Sequence, residues 1–342
     1  MLILSHNDLV KAGCFNIPNA FEVIENTLKQ YGRGEIAFPD KISQIFNEET
    51  QDRINCLPAT LLPQKVCGVK WVAVFPQNPI LHNLPNLNAS ILLSELKTGY
   101  PIAFMDGTLC SDLRTATISA VAAKYLANPD AEKIGFIGSG EQAKMHFLTL
   151  KHVLPNIKQC RVASRRHTSE ILFIEQLSKL CPDVEFIACD SNYEKSAREA
   201  DVIVTAVSCQ SPILQAKWLK KGVFYSHVGG WEDAYDVPLS MNKIVCDDWN
   251  AVKHRTQTIS RLYKAGKLTD KDIYSDLYEI VSGNKPGRES ADEKIYFNAV
   301  GLSYLDVALA LSFYNRAAIL DVPQLRMYQK SIFDTQMNDI LL

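Results

Sequence analysis

The 342 residues contain no apolar run of the roughly 18 residues needed to span a bilayer as a helix. The opening stretch MLILSHNDLV meets a His, an Asn and an Asp too early for a secretory signal. A dominant charge of either sign is also missing. Lys and Arg number 36 against 38 Asp and Glu, a formal net charge of −2, which gives no general attraction to nucleic acid or to an anionic membrane. The nine cysteines form no C-x-x-C pair, and no Cys/His cluster has zinc spacing, so no metal is expected. They read instead as free, mostly buried thiols in a reducing compartment, which points to the cytoplasm. Internal repeats and low-complexity linkers are absent too. What remains is an ordinary globular composition with enough length for two domains.

The pattern of the chain changes along its length. In the first 115 residues, Ile54–Leu57, Val66–Phe75 and Ser90–Glu95 read as strands. Lys97–Tyr100 reads as a turn and Ala20–Tyr31 as a helix. From Lys133 onward, short apolar strands alternate with helices. The strands are Ile134–Ile137, Arg161–Ala163, Val184–Ala188, Asp201–Val207, Val223–Val228 and Lys243–Cys246; the helices are Gln142–Leu154, Ser169–Leu180 and Asn192–Ala200. That alternation predicts crossover units and a parallel sheet covered on both faces. Residues 250–290 are polar and read as partly helical, and Leu302–Ala318 has a strong helical pattern.

Lys133–Ala143 reads KIGFIGSGEQA, in which Gly138, Gly140 and Ala143 fit G-x-G-x-x-G/A between a strand and a helix. Gly138 permits the tight turn, Gly140 lets backbone approach a pyrophosphate, and Ala143 lets the helix pack on the strand. The helix start, Glu141 and Gln142, offers free N–H groups to an anion. A dinucleotide is therefore the expected cofactor. The second strand ends in Ala163-Ser164-Arg165-Arg166, where an acid would otherwise bind the ribose hydroxyls. Two guanidinium groups pair with a phosphate through forked donors, so NADP(H) is the expected preference, with NAD(H) also possible.

Three segments together resemble the ornithine cyclodeaminase/μ-crystallin family. They are Gly68-Val69-Lys70-Trp71 with Phe75-Pro76-Gln77-Asn78-Pro79; Thr98-Gly99-Tyr100-Pro101 followed by Leu113-Arg114-Thr115-Ala116; and the loop Gly138–Ala143. A later stretch, Asp247-Asp248-Trp249, Ser282-Gly283 and Pro286-Gly287-Arg288-Glu289, resembles the branch with the dehydrogenase that makes 2,3-diaminopropionate for siderophores. The resemblance implies an α/β fold: a Rossmann dinucleotide-binding domain (116–304) inserted in a mixed α+β substrate-binding and dimerisation domain (1–115 plus 305–342). It also implies a homodimer and hydride transfer at the α-carbon of a small imino or amino acid. Around the cofactor it adds Thr115, Val207, Ser208 and Val228 to the glycine-loop and Ser164–Arg166 positions.

A carboxylate beside the reacting carbon calls for fixed cations. Lys70 on a strand and Arg114 at a helix start are the candidates. By the resemblance Lys70 lies beside the reacting carbon and Arg114 clamps the carboxylate. Lys41, after Phe38-Pro39-Asp40, stands where the family often has an arginine; it reads equally as a carboxylate contact or a surface residue. Many relatives place an aspartate soon after the fifth strand, where this chain has Trp231. Glu232 or Asp233 is then the candidate proton donor, the alternative being a solvated loop. His227 reads as a packed histidine, and Asp247-Asp248 as a strand end and a helix cap. The leading function is an NAD(P)H-dependent reductase or dehydrogenase. An ornithine cyclodeaminase recycling its own NAD and a non-catalytic NADP-dependent binding protein stand as alternatives.

Overall fold

The computed structural model describes residues 1–325. Two sheets organise the chain. The first is mixed, with strands in the spatial order Leu2–Leu4, Pro101–Asp106, Leu87–Glu95, Val66–Val74, Asp52–Leu61 and Ile36–Ala37, and Ile42–Asn47 also pairing with Asp52–Leu61. Alternation sets its faces. Asn55, Leu57, Ala59 and Leu61 are buried while their neighbours are less so, the pattern of a sheet covered on one side. The helices Ile17–Gly32 and Ser303–Ala317 pack on each other, and Ser303–Ala317 lies across the three central strands. Lys70 pairs with Leu57 and with Ile91, so it points to this covered face.

The second sheet has eight strands, all parallel, in the order Glu185–Ala188, Gln159–Ala163, Lys133–Ile137, Val202–Thr205, Phe224–His227, Ile295–Asn298, Lys243–Cys246 and Ser275–Asp276. The first five follow the Rossmann order, with the strand order reversing beside Lys133–Ile137, where such sheets bind ligands. All six strands expected here form. Ile295–Asn298, which wedges between the fifth and the sixth, was not expected. At four residues, all buried, it equals Lys243–Cys246 in length and burial, and it lies between the polar stretch 250–290 and the last helix pattern. A parallel pair, Gln210–Leu214 with Trp231–Asp233, was also unexpected.

Helix ends required one larger correction. Arg114 was placed at a helix start, but the helix runs Thr108–Leu126, so Arg114 lies nearly two turns inside it. The polar residues Ser111, Asp112 and Arg114 concealed its first turns. The expected domain boundary at 115/116 falls within this helix. The first residues meet the last described ones: Ile3 N–H donates to Pro323 O at 3.0 Å. The expected C-terminal segment 305–342 extends past residue 325, and 326–342 lie outside the described residues. Among the described residues no helix is long and apolar enough to cross a membrane.

Candidate active site

The glycine loop stands at the end of Lys133–Ile137. Gly138 has φ +110°, and a Cβ there would meet Ala206 O at 2.5 Å, so both conformation and space demand glycine. Gly140 differs. Its backbone is ordinary, with φ −77°, and a Cβ would meet no protein atom within 4 Å. Nothing in the protein requires glycine there, whereas a ligand approaching the start of the helix Glu141–Val153 does. A cleft of about 370 Å³ opens over this point, lined by the glycine loop, Ser164, Arg165, Arg166, Val207 and Ser208 among others. These residues fit a dinucleotide.

Of the other expected cofactor residues, Thr115, Glu141, Gln142 and Val228 do not line that cleft. The Thr115 hydroxyl donates to Ser111 O at 2.7 Å, and Glu141 pairs with Lys144. Gln142 Nε2 donates to Asp112 Oδ1 at 2.7 Å, tying the nucleotide helix to the helix Thr108–Leu126. Arg165 and Arg166 are exposed. The acid of this region, Glu170, is buried and looks inward, accepting from the backbone N–H of Ser164, Asp190 and Ser191 at 2.8–3.0 Å.

The helix Thr108–Leu126 also carries the substrate-site candidates. Lys70 is 1% exposed. Its ammonium donates to Asp306 Oδ1 at 2.8 Å and to Ser111 Oγ at 3.3 Å. Arg114 Nε donates to the same Asp306 Oδ1 at 2.7 Å. Two buried cations thus share one oxygen of one carboxylate, whose other oxygen, Oδ2, is buried without a hydrogen-bond partner among the described residues. Burial, then the field of Arg114, drives the Lys70 ammonium below the usual lysine range, against the upward pull of Asp306. Asp306 is held below its ordinary value by Arg114 and Lys70 despite its burial. The far end of the Arg114 guanidinium abuts Gly301, where φ is +85° and a Cβ would come within 2.6 Å of Nη1. Asp247 fixes that loop by accepting from Val300 and Gly301 N–H at 2.8 and 2.9 Å. Asp248 caps the next helix through Ala251 N–H at 2.8 Å. Both acids serve the structure, as their reading as a strand end and a cap anticipates.

Asp306 was missed by sequence reading. The signal was present: an acid in the middle of the apolar run Leu302–Leu311, where an unpaired charge is too costly to keep. Lys41 is half-buried. Its burial, with Arg255, Arg53, Lys70 and Arg114 nearby, pushes its ammonium down to about 7.

The candidate proton donors were Glu232 or Asp233, with a solvated loop as the alternative. Glu232 and Asp233 are fully buried, as Lys70 is, and not on a solvated loop. Glu232 Oε1 accepts from Val207 N–H at 2.7 Å, and Oε2 accepts from Gly229 N–H at 2.9 Å and Thr205 Oγ1 at 2.7 Å. It holds the ends of the fourth and fifth strands together beneath the cleft. Asp233 accepts from Thr258 Oγ1 at 2.6 Å and lies 3.3 Å from His227 Nε2. Burial raises it to about 6, against the opposing pull of His227. His227 is a packed ring, stacked on Tyr296 at 5.8 Å between centroids. Both acids turn onto partners from other elements, Thr205 and Val207 for Glu232 and Thr258 for Asp233, which the sequence did not signal.

The chain is similar to known proteins along most of its length. The chain is 27% identical to the N-((2S)-2-amino-2-carboxyethyl)-L-glutamate dehydrogenase of Staphylococcus aureus over 321 residues, 93% of this chain and 95% of that protein. It is 30% identical to the alanine dehydrogenase of Archaeoglobus fulgidus over 320 residues, 92% of this chain and 95% of that one. Among solved structures it matches the Δ1-pyrroline-2-carboxylate reductase of Thermococcus litoralis in complex with NADH and L-proline, with TM-score 0.89 and 29% identity, covering 95% of this chain and 100% of that one. The model of the ornithine cyclodeaminase/mu-crystallin family matches residues 6–319, and the chain belongs to that family.

Proposed function

We infer that this chain is an NAD(P)H-dependent oxidoreductase moving a hydride between the nicotinamide and the α-carbon of a small imino or amino acid. The observation that carries the reading is the pair of buried cations, Lys70 and Arg114, balanced by the single carboxylate of Asp306. A buried excess of positive charge is costly unless an anion completes it, and the carboxylate beside a reacting α-carbon is such an anion. The same helix reaches the nucleotide loop through Asp112 and Gln142, which sets the cations beside the cofactor cleft. The relatives named as reductase and dehydrogenases support the reaction class.

The roles follow from the contacts. Arg114 offers the free end of its guanidinium to the substrate carboxylate. Asp306 keeps Lys70 charged and aimed. The Lys70 ammonium, whose affinity for its proton is lowered by burial, orients the substrate nitrogen and exchanges a proton with it. Glu232 and Asp233 are assigned to holding the cofactor-side loops. A bound nicotinamide supplies or accepts the hydride. Arg165 and Arg166, exposed at the cleft, favour the 2′-phosphate of NADP(H) over NAD(H).

The first sheet with Ile17–Gly32 and Ser303–Ala317 forms the substrate-binding and dimerisation domain in this reading. A homodimer is proposed through the sheet's other face, where Ile42, Trp71 and Phe104 are 66%, 50% and 43% exposed. The nine free thiols suit a reducing compartment, the cytoplasm. The test of function is a cofactor-oxidation screen over cyclic and acyclic imino acids with NADH and NADPH. The reading requires cofactor consumption equal to the imine reduced. Cofactor binding with no turnover on any imino acid would refute it.

A further inference from the structure

Three cations beside the Lys70–Arg114 pair have no part in the mechanism above. Arg53 lies on the strand Asp52–Leu61, where it pairs with Val74, as Leu57 pairs with Lys70. Arg53, Leu57 and Lys70 therefore share the covered face, with Val72 between them opposite Asn55. At about 3.3 Å per residue, Arg53 is roughly 13 Å along the strand from the level of Lys70, within converging reach of two long side chains. Lys41 directly precedes the strand Ile42–Asn47, whose Ile42 pairs with Cys56. Continuing that register sets Lys41 level with Leu57 and Lys70. Arg255 comes from the other side, just after the helix Trp249–Val252, held through Nε to Ala251 O at 3.1 Å.

These groups crowd one another without local neutralisation. The fields of Arg255, Arg53, Lys70 and Arg114 all reach Lys41. Arg53 uses Nη1 on Gln51 O at 2.8 Å. Asp40 and Asp247 act on Arg255 only at longer range. Among the described residues the ion pairs of this region are those of Asp306 with Lys70 and Arg114, so Lys41, Arg53 and Arg255 have no carboxylate in contact. Between the levels of Lys70 and Arg53 lie Val72 and Ala89, which cluster with Leu57 in a small apolar patch. Cations gathered from the first sheet and from the segment after Trp249–Val252, beside a first carboxylate site and an apolar patch, match a substrate with an anion at each end of a short aliphatic spacer.

We propose that Arg53 and Arg255, with Lys41 between them and the Lys70–Arg114 pair, form a second anion subsite, and that the substrate is a dicarboxylic imino or amino acid. The proposal rests on the hydride-transfer reading for its first carboxylate site. The second carboxylate reaches Arg53 and Arg255 either as part of the side chain or as a substituent on the nitrogen. The apolar patch takes the methylenes between.

Two experiments test it. Calorimetric titration of the cofactor-bound protein with glutarate and with butyrate needs no turnover. Glutarate is expected to bind about 30-fold tighter, the worth of charge-assisted contacts to a second carboxylate. Arg53→Ala with Arg255→Ala should remove most of that difference while circular dichroism and cofactor binding stay as in the parent. In turnover with NADPH or NADH, 2-oxoglutarate with ammonium tests a side-chain carboxylate and pyruvate with glycine tests one on nitrogen. One of the two should exceed 2-oxobutyrate with ammonium by about the same factor in kcat/KM, and the double variant should lose that advantage. Equal binding of glutarate and butyrate, or a preference that survives the double substitution, overturns the subsite and leaves the hydride reading standing. Preferential glutarate binding with no cofactor oxidation on any imino acid has the reverse meaning: the subsite stands and the hydride reading falls.

Discussion

Lys70 Nζ lies 2.8 Å from Asp306 Oδ1, a contact between residues 236 positions apart. The helix Ser303–Ala317 brings the acid across the sheet to the lysine, and Arg114 shares the same oxygen. Removing the acid and removing the lysine therefore have different consequences. Asp306→Asn leaves two buried cations without an anion, and a loss of about 3–5 kcal/mol in stability is expected, read as a lower Tm. Lys70→Met leaves the Arg114–Asp306 pair intact; it should fold and bind cofactor, with kcat/KM down about 100-fold or more. Near-normal kcat/KM in Lys70→Met would show that the lysine has no part in the reaction.

The same pair sets a pH dependence. Lysine serves as proton donor only while charged, so activity falls as pH rises through its pKa. Burial and Arg114 lower that pKa while Asp306 raises it. The alkaline limb of kcat is thus expected below the ordinary lysine value of 10.5. Whatever folded Asp306→Asn protein is recovered should move the limb to still lower pH. A limb unmoved by that substitution would assign it to another group.

Glu232 separates support from catalysis. Glu232→Gln keeps the shape but turns an N–H toward a backbone donor at Val207 or Gly229. Stability is expected to drop by about 1–3 kcal/mol, and cofactor affinity should weaken with it. At saturating cofactor kcat should change little. A protein of unchanged Tm whose kcat falls about 100-fold would restore the carboxylate as a proton donor.

In the proposed reading Arg165 and Arg166, exposed at the cleft, set a preference for NADP(H). Replacing both with Ala should weaken NADPH by roughly 1–3 kcal/mol, about ten- to a hundredfold, and NADH far less. The measurement is a fluorescence titration with each cofactor. Equal affinities of the unaltered protein for NADPH and NADH would contradict the assignment.

Local chemistry was the legible part of this sequence. The glycine loop declares itself because Gly138 and Gly140 answer needs within a few residues of chain, and the strand–helix series around it follows from short apolar segments and their punctuation. Lys70 and Arg114, singled out by short motifs, do come together in the fold, on one carboxylate. Asp306 was not singled out, because its partners are distant in sequence and only packing of the last described helix reveals them. The burial of Glu232 and Asp233 was hidden for a related reason: three residues of strand after a loop leave no period to read, and their partners Thr205, Val207 and Thr258 are distant in sequence. Ile295–Asn298, as short as the strands that were read, was passed over between the polar stretch and the last helix, and the first turns of Thr108–Leu126 were hidden by polar residues that bond within the protein.

The central claim is net hydride transfer to an imino acid, and its most direct test is stoichiometry. Cofactor oxidised and amino acid formed should be measured together for the best imino acid in the screen, alongside ornithine with only catalytic amounts of NAD(P). The account predicts one NAD(P)H consumed per amino acid formed, and no proline from ornithine. Conversion of ornithine to proline and ammonia at roughly one per second or faster, without net change in cofactor, would contradict it and identify a cyclodeaminase.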